Sequence, residues 1–288
     1  MLFLFSDDVY SGELTIFDNG QSKHVIVIPA AATEIEQKAA FKLQHYLCEI
    51  SGTELKIVPE NKTGHTYNIY IGNCNNAKKL NIDFLALGKD GFALNTLGND
   101  LFISGGSGKG VLFGVCGFLE RLGCRRYSAD IEVIPKNNHL KIPSLDITEI
   151  PVFDYRETLM PDASNSDYAE WHKLHHRSER GNDWGMWVHT FDDLIPPEIY
   201  FEAHPEYFSL NNGVRSSKTQ LCLSNPGVLD LVILRLKELI EKNPRATYWS
   251  VSQNDTYGPC ECLGCKKLDN QYGGVPSGSL IHFVNHIA

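Results

Sequence analysis

HVIVIPAAATEIEQKAAFKLQHYLCEISG, residues 24–52, changes its hydrophobic period part-way along. HVIVIP is a short β-branched run of the kind that forms a strand. From Thr33 onward Ile35, Ala39, Leu43, Leu47 and Ile50 recur every three or four residues, which predicts an amphipathic helix. Thr33 with Glu36 three residues later makes a capping box, and Gly52 supplies the residue that can stop the helix in a left-handed turn. Further along, LKIV, TYNIYIG, GFALNT and DLFISG read as short strands, the last two joined by the turn-former LGND. GVLFGVCGFLERLG then places Val111, Val115, Phe118, Leu119 and Leu122 on one helical face and ends at Gly123. The expectation is a small α/β domain whose two helices cover one face of a mostly antiparallel sheet.

The chain changes character near residue 150. Trp171, Trp184, Trp187 and Trp249, all four tryptophans, lie beyond it, and NNHLKIPSLDITEIPVF (137–153) reads as a final strand running into a linker. Residues 1–150 and 151–288 are therefore expected to be separate domains. In the second, strand-like FDYRET, WGMWVHTF, KTQLCLS and TYWSVSQ alternate with helices expected through SDYAEWHKLHHRSER, PPEIYFEA, the stretch opening at Asn225 and Pro226, and SLIHFVNHIA. Four strand–helix pairs suggest a parallel α/β arrangement, and a complete eight-fold barrel takes about 250 residues. The expected fold is thus an α/β domain followed by an incomplete (β/α)8 barrel.

The balance of 26 Lys and Arg against 35 Asp and Glu, a net charge of −9, argues against a nucleic-acid partner, which needs a clustered basic face. With 42% hydrophobic and 21% charged residues the chain has the composition of a folded protein. No apolar run approaches the roughly 20 residues that span a bilayer, so membrane insertion is not expected. MLFLFSDD lacks a charged leading region and a small-residue cleavage site, so no complete secretion signal is visible.

Several motifs bear on chemistry. GGSGKG (105–110) sits between a strand and a helix, where a phosphate loop would sit. Gly110 stands where Ser or Thr is needed, however, and Val111 where a third dinucleotide glycine would fall, so a tight structural turn is expected. WHKLHH spaces His172, His175 and His176 along an expected helix, without the intervening carboxylate of zinc hydrolases, and reads as a solvated or cleft-lining face. CECLGC supplies Cys260, Cys262 and Cys265, with Cys222 available from QLCLS; these four could hold a structural zinc ion, form disulfides or remain free thiols. Cys48 and Cys116 lie on apolar helical faces as small core residues. Barrel chemistry is built at the carboxyl ends of strands, which singles out Asp255 and Glu157 as candidate catalytic carboxylates. Arg156, Trp187, His189, Gln220, Asn225 and Asn254 offer the mixture of flat apolar faces and polar groups that a sugar requires, and are the candidate substrate-binding residues.

PAAATEIEQKAAFKLQHYLCEISGTELKIV, followed by GGSGKGVLFGVCGFLERLGCRRYSADIEVIP, resembles the α/β domain that precedes the barrel in α-glucuronidases of glycoside hydrolase family 67 and in β-hexosaminidases. The second half resembles an uncharacterised bacterial family related to those enzymes, in which HPEYFSLNNG, QLCLSNP, SVSQND and CECLGC, then PSG and a helix, follow in the same order. The resemblance implies a β-hexosaminidase-like domain, a glycosidase-type barrel that continues beyond residue 288, and carbohydrate processing, usually outside the cytoplasm. The expected activity is glycoside hydrolysis by two carboxylates, which requires no cofactor, on an oligosaccharide or polysaccharide, with Arg156 able to pair with a uronate. A noncatalytic carbohydrate-binding protein of the same architecture is the alternative.

Overall fold

The computed structural model describes residues 12–62 and 64–288, so MLFLFSDD lies outside the described residues. The chain forms two compact units, one ending at Arg177 and the other spanning Ser178–Ala288.

The first unit holds β1 (Glu13–Thr15), β2 (Val25–Ile28), α1 (Glu34–Ser51), β3 (Ile57–Pro59), β4 (Asn68–Ile71), β5 (Phe92–Leu97), β6 (Asp100–Gly105), α2 (Gly110–Arg121), β7 (Arg125–Arg126), β8 (Glu132–Val133), β9 (Lys141–Pro143), β10 (Asp146–Glu149) and α3 (Ser166–Trp171). The capping box of α1 forms from both sides: Glu36 N–H donates to Thr33 Oγ1 at 3.3 Å, and Thr33 N–H donates to Glu36 Oε2 at 2.9 Å. Gly52 stops the helix at φ 81°, its N–H bonding the Cys48 carbonyl.

Six strands make one sheet in the order β10-β5-β6-β4-β2-β3. The sheet is mixed, not mostly antiparallel: β3–β2, β2–β4 and β4–β6 run parallel, and only β5–β6 and β5–β10 run antiparallel. The cause is α1, which carries the chain back between β2 and β3 as a crossover, a connection that parallel strands require. Side chains alternate as the pleat demands. Ile26, Ile69, Ile71, Leu101 and Ile103 join α1 and α2 in the main core, while Val25, Val27, Tyr70 and Phe102 form a smaller core on the opposite face. Two short antiparallel pairs, β1–β9 and β7–β8, complete the unit.

This unit continues past the expected boundary near residue 150 because the following segment is anchored to it. Trp171 is 1% exposed within the main core, Lys38 bonds Glu170 at 2.6 Å, and Lys173 bonds Glu120 at 2.9 Å. The expected strand FDYRET is irregular chain. In place of a ladder, His175 N–H donates to the Arg156 carbonyl, Arg156 N–H donates to His175 Nδ1, and the Phe153 carbonyl accepts from the Arg156 guanidinium. The expected long helix stops at Trp171, with Lys173 at φ 58°.

The second unit holds α4 (Arg180–Asp183), β11 (Trp184–Met186), α5 (Phe191–Leu194), α6 (Pro197–Tyr200), β12 (Leu210–Asn211), β13 (Val214–Arg215), α7 (Pro226–Lys242), β14 (Tyr248–Trp249), α8 (Leu263–Gln271) and α9 (Ser277–Ile287). Strands β11 and β14 pair in parallel, and β12–β13 is a hairpin turned by Asn212 and Gly213, both at positive φ as a type I′ turn requires. Its core is Phe191, Leu194, Ile195, Phe208, Leu221, Val228, Val232 and Phe283. KTQLCLS contributes only an isolated bridge, Leu221 to Phe208, in place of a full strand. Among the described residues of this unit there is one parallel strand pair, β11–β14, and no closed barrel. Among them, too, no helix is long and apolar enough to cross a membrane.

Candidate functional site

Beyond their carboxyl ends, β11 and β14 run on as two segments joined by side chains. Thr190 Oγ1 donates to the Ser250 carbonyl at 3.1 Å and accepts from Ser252 N–H at 3.0 Å, while Thr190 N–H donates to the Ser252 carbonyl. His189 sits between them at φ 62°, a left-handed conformation costly for a residue with a Cβ. Its N–H donates to Ser252 Oγ at 2.9 Å, and its Nδ1 lies 3.2 Å from the Gln253 carbonyl, so Nδ1 carries the proton. The side chain is exposed. Trp187 stands edge-on to Trp184, with ring centroids 4.5 Å apart, and the Arg180 guanidinium lies 4.2 Å from its ring centroid.

Asn254 and Gln220, both buried, tie the second of these segments to the chain around Thr219. Gln220 Nε2 donates to the carbonyls of Asn254 (2.9 Å) and Thr256 (2.6 Å), and its Oε1 accepts from Asn254 N–H at 3.0 Å. A side-chain amide thereby does for residues 254–256 what a neighbouring strand would do. Asn254 Nδ2 donates to Asp192 Oδ1 at 2.8 Å and to the Thr219 carbonyl, while its Oδ1 accepts from Asp192 N–H. Desolvation raises the Asp192 carboxyl above its ordinary value against the Asn254 hydrogen bond, with the charges of Asp193 and Glu198 adding to the rise. Asp255, next in sequence, is exposed and has no hydrogen bond or ion pair among the described residues. Asn225 caps α7, accepting from Gly227 N–H at 2.9 Å, and donates to the Glu206 carbonyl.

Arg156 and Glu157 belong to the first unit. Arg156 donates to Asp90 Oδ2 at 2.8 Å and to the carbonyls of Lys173 and Phe153. Glu157 accepts from the Tyr155 hydroxyl at 2.6 Å. His175 Nδ1 accepts from the Arg156 backbone, which leaves the proton on Nε2, 3.2 Å from Asp90 Oδ2. Burial works against the Asp90 carboxylate, but the hydrogen bonds from His175 and Arg156 outweigh it and hold the group below its ordinary value. His172 and His176 bond the carbonyls of Arg126 and Ser164, so the three histidines of WHKLHH have three separate structural roles.

The glycine-rich loop 105–110 is a backbone turn. Gly106, Ser107 and Gly108 donate their N–H groups to the carbonyls of Gly91, Gly88 and Lys89 at 2.8–2.9 Å. A Cβ on Gly106 or Gly110 would collide with the Gly88 or Gly91 carbonyl. The amides that a phosphate would need are already used.

Cys222, Cys260, Cys262 and Cys265 converge, their sulfurs all within 4.8 Å of one another. Cys222 follows the Leu221 bridge, Cys260 closes the loop after β14, and Cys262 caps α8, accepting the Cys265 N–H at 3.4 Å. Leu210 N–H donates to Cys260 Sγ at 3.4 Å, and Arg215 Nη1 lies 3.7 Å from the same sulfur. Hydrogen bonds from Cys260 and Cys265, with a further one from Arg215, hold the Cys222 thiol far below its ordinary value, while its hydrogen bond to Cys222 is the main cause that pushes Cys260 up to about 11. Elsewhere burial raises the thiols of Cys74 and Cys116 to about 12 and that of Cys124 to about 11, which makes them inert core groups. Cys48 is half-buried.

Residues 126–288, more than half of the chain, match the family described as Domain of unknown function (DUF4838). The chain belongs to DUF4838. No curated protein matches it. Solved structures similar to this DUF4838 chain are glycoside hydrolases. One is a family GH115 4-O-methyl-α-glucuronidase with specificity for decorated arabinogalactans (15% identity, TM-score 0.42, covering 56% of this chain and 25% of that one). Others are the Flavobacterium johnsoniae chitobiase (11% identity, TM-score 0.41, 97% and 48%) and the Vibrio harveyi GH20 exo-β-N-acetylglucosaminidase (13% identity, TM-score 0.38, 97% and 51%). The DUF4838 chain spans a quarter to about half the length of these structures.

Of the residues singled out in the DUF4838 sequence, the structure places His189, Asn254 and Gln220 in the hydrogen-bonded segments after β11 and β14, with Asp255 next to Asn254 in sequence, brings the four cysteines into one cluster, and assigns Arg156 and Glu157 to the other unit. Asp192 was missed. Its signal was the acidic pair in HTFDDL, directly after the strand-like run.

Proposed function

We propose that this DUF4838 chain is an α-glucuronidase-like glycoside hydrolase, or its amino-terminal part, in which the second unit begins a (β/α)8-type barrel and acts on a polysaccharide-derived oligosaccharide. The supporting observation is a pair of carboxylates at the carboxyl ends of adjacent parallel strands: Asp192 following β11, hydrogen-bonded to Asn254, and Asp255 following β14, exposed beside it in sequence. Both side chains are exposed; the Asp192 carboxyl has its proton affinity raised, the direction a proton donor to a leaving oxygen needs, and Asp255 has no hydrogen-bond partner among the described residues, which suits a nucleophile or a base for water. The Trp187 ring supplies a flat apolar face, and His189 and Gln253 supply polar groups for sugar hydroxyls.

The test is turnover of a panel of aryl glycosides and glucuronidated oligosaccharides by the full-length protein. Asp192→Asn and Asp255→Asn are each expected to lower the rate by at least about 100-fold while the fold is retained. Glu157→Gln is the comparison, since Glu157 is held by Tyr155 in the other unit. Saturable sugar binding with no turnover of any substrate would replace hydrolysis with the noncatalytic carbohydrate-binding function.

A further inference from the structure

We propose that Cys222, Cys260, Cys262 and Cys265 bind one Zn²⁺ ion as four thiolates, a structural centre that fastens the loop carrying Asp255 to the start of α8. The centre is independent of what the segments after β11 and β14 bind.

A zinc ion with Zn–S bonds of about 2.3 Å sets its four sulfurs at the corners of a tetrahedron about 3.8 Å on edge. The four sulfurs here lie within 4.8 Å of one another, and Cys222 and Cys262 are 3.6 Å apart. Disulfides would divide them into pairs, whereas all four approach a common centre. The surroundings suit thiolates. Leu210 and Cys265 present N–H groups to Cys260 and Cys262, the Cys265 amide being in the first turn of α8, where the helix dipole favours negative charge. The Ser224 hydroxyl lies 3.4 Å from Cys262 Sγ, 3.3 Å from Cys265 Sγ and 3.8 Å from Cys222 Sγ. Arg215 offsets part of the net double negative charge that four thiolates leave on a divalent ion. Cys222, Cys260 and Cys265 are at most 7% exposed, so no coordination position opens to a substrate, as in structural and not catalytic zinc sites. The spacing fits as well: Cys-x-Cys-x-x-Cys wraps three ligands from one short segment, and Cys222 closes the shell from 38 residues upstream of Cys260.

The whole chain, purified under reducing conditions from zinc-supplemented medium, is expected to hold one zinc per chain by elemental analysis. Denatured with chelator but without reductant, all eight cysteines should alkylate. Replacing zinc with Co²⁺ should give the charge-transfer and ligand-field bands of a tetrahedral thiolate site. Cys262→Ser is expected to weaken zinc binding by more than about 100-fold, and Ser224→Ala, which removes only an outer hydrogen bond, by about 10-fold. Should the cysteine variants fail to fold, stepwise mercurial titration of the wild type should release zinc as the four thiols react. A disulfide within this group, iron as the bound metal, or a protein that stays zinc-free and melts at an unchanged temperature when Zn²⁺ is added would each overturn the assignment.

Discussion

Replacing Gln220 with Leu tests whether its amide works as a surrogate strand. The side chain makes three hydrogen bonds to the backbone of residues 254–256 and is 5% exposed. Each net bond contributes about 1 kcal/mol, and the buried Asn254 N–H left without a partner adds about 1–3 kcal/mol, so Gln220→Leu should destabilise the second unit by about 4–6 kcal/mol. Gln220→Glu keeps the acceptor for Asn254 N–H but turns a carboxylate toward two carbonyl oxygens. Its cost should be comparable at neutral pH and smaller in acid, where the protonated acid regains one donor. Urea unfolding followed by tryptophan fluorescence suits the measurement, because Trp184, Trp187 and Trp249 all report on the unit spanning Ser178–Ala288. The midpoint should fall with the slope unchanged. A loss below about 1 kcal/mol for Gln220→Leu would show that the amide does not hold this loop and would return Gln220 to the ligand-binding role that the sequence suggests.

At position 189 the usual order of Ala and Gly should reverse: with φ at 62°, His189→Gly is expected to be more stable than His189→Ala by about 1 kcal/mol, read from paired thermal melts, and equal stability would show that the left-handed conformation relaxes. Asp90 has its proton affinity lowered in the folded chain, so it contributes stability above its ordinary pKa of 3.8 and loses that contribution as pH falls through and below this value. Asp90→Asn should therefore flatten the acid limb of a stability-against-pH curve, and an unaltered limb would place the acid sensitivity elsewhere. Trp171→Ala should cost the first unit about 4 kcal/mol in chemical denaturation, since a fully buried indole is removed from its main core; a loss under about 1 kcal/mol would mean that residues 151–177 are not part of that unit.

Helix α1 was legible because everything that defines it is local: Thr33 and Glu36 cap each other within one turn, and the apolar residues repeat at the helical period. The sheet was legible as a set of strands but not in its directions, because alternation along β4 or β6 reads the same whichever way the neighbour runs. FDYRET and KTQLCLS look like strands for the same reason. Their backbone partners include a histidine 19 residues ahead for the first and one bridge to Phe208 for the second, neither of which a local pattern encodes. At the site, the spacing of Cys260, Cys262 and Cys265 is a local signal, whereas the arrival of Cys222 depends on the tertiary path. Gln220, Asn225 and Asn254 have the chemistry of sugar-binding residues, and the structure uses that same hydrogen-bonding capacity on its own backbone. Sequence shows what a polar side chain can bond; burial and geometry decide whether any of that capacity is left over.

The six-stranded sheet of the first unit ends in two edges that discourage a further strand. On one side β3 finishes at Pro59, which has no N–H to offer. On the other, β10 is Asp-Ile-Thr-Glu, with exposed Asp146 bonded to Asn95 Nδ2 and exposed Glu149 paired with Arg121. A strand from a second chain would have to approach carboxylates at one border and do without a ladder bond at the other. The crowded interior of an expressing cell is where this matters, since partly folded copies meet there most often, and the sheet that carries the main core offers them little to nucleate aggregation.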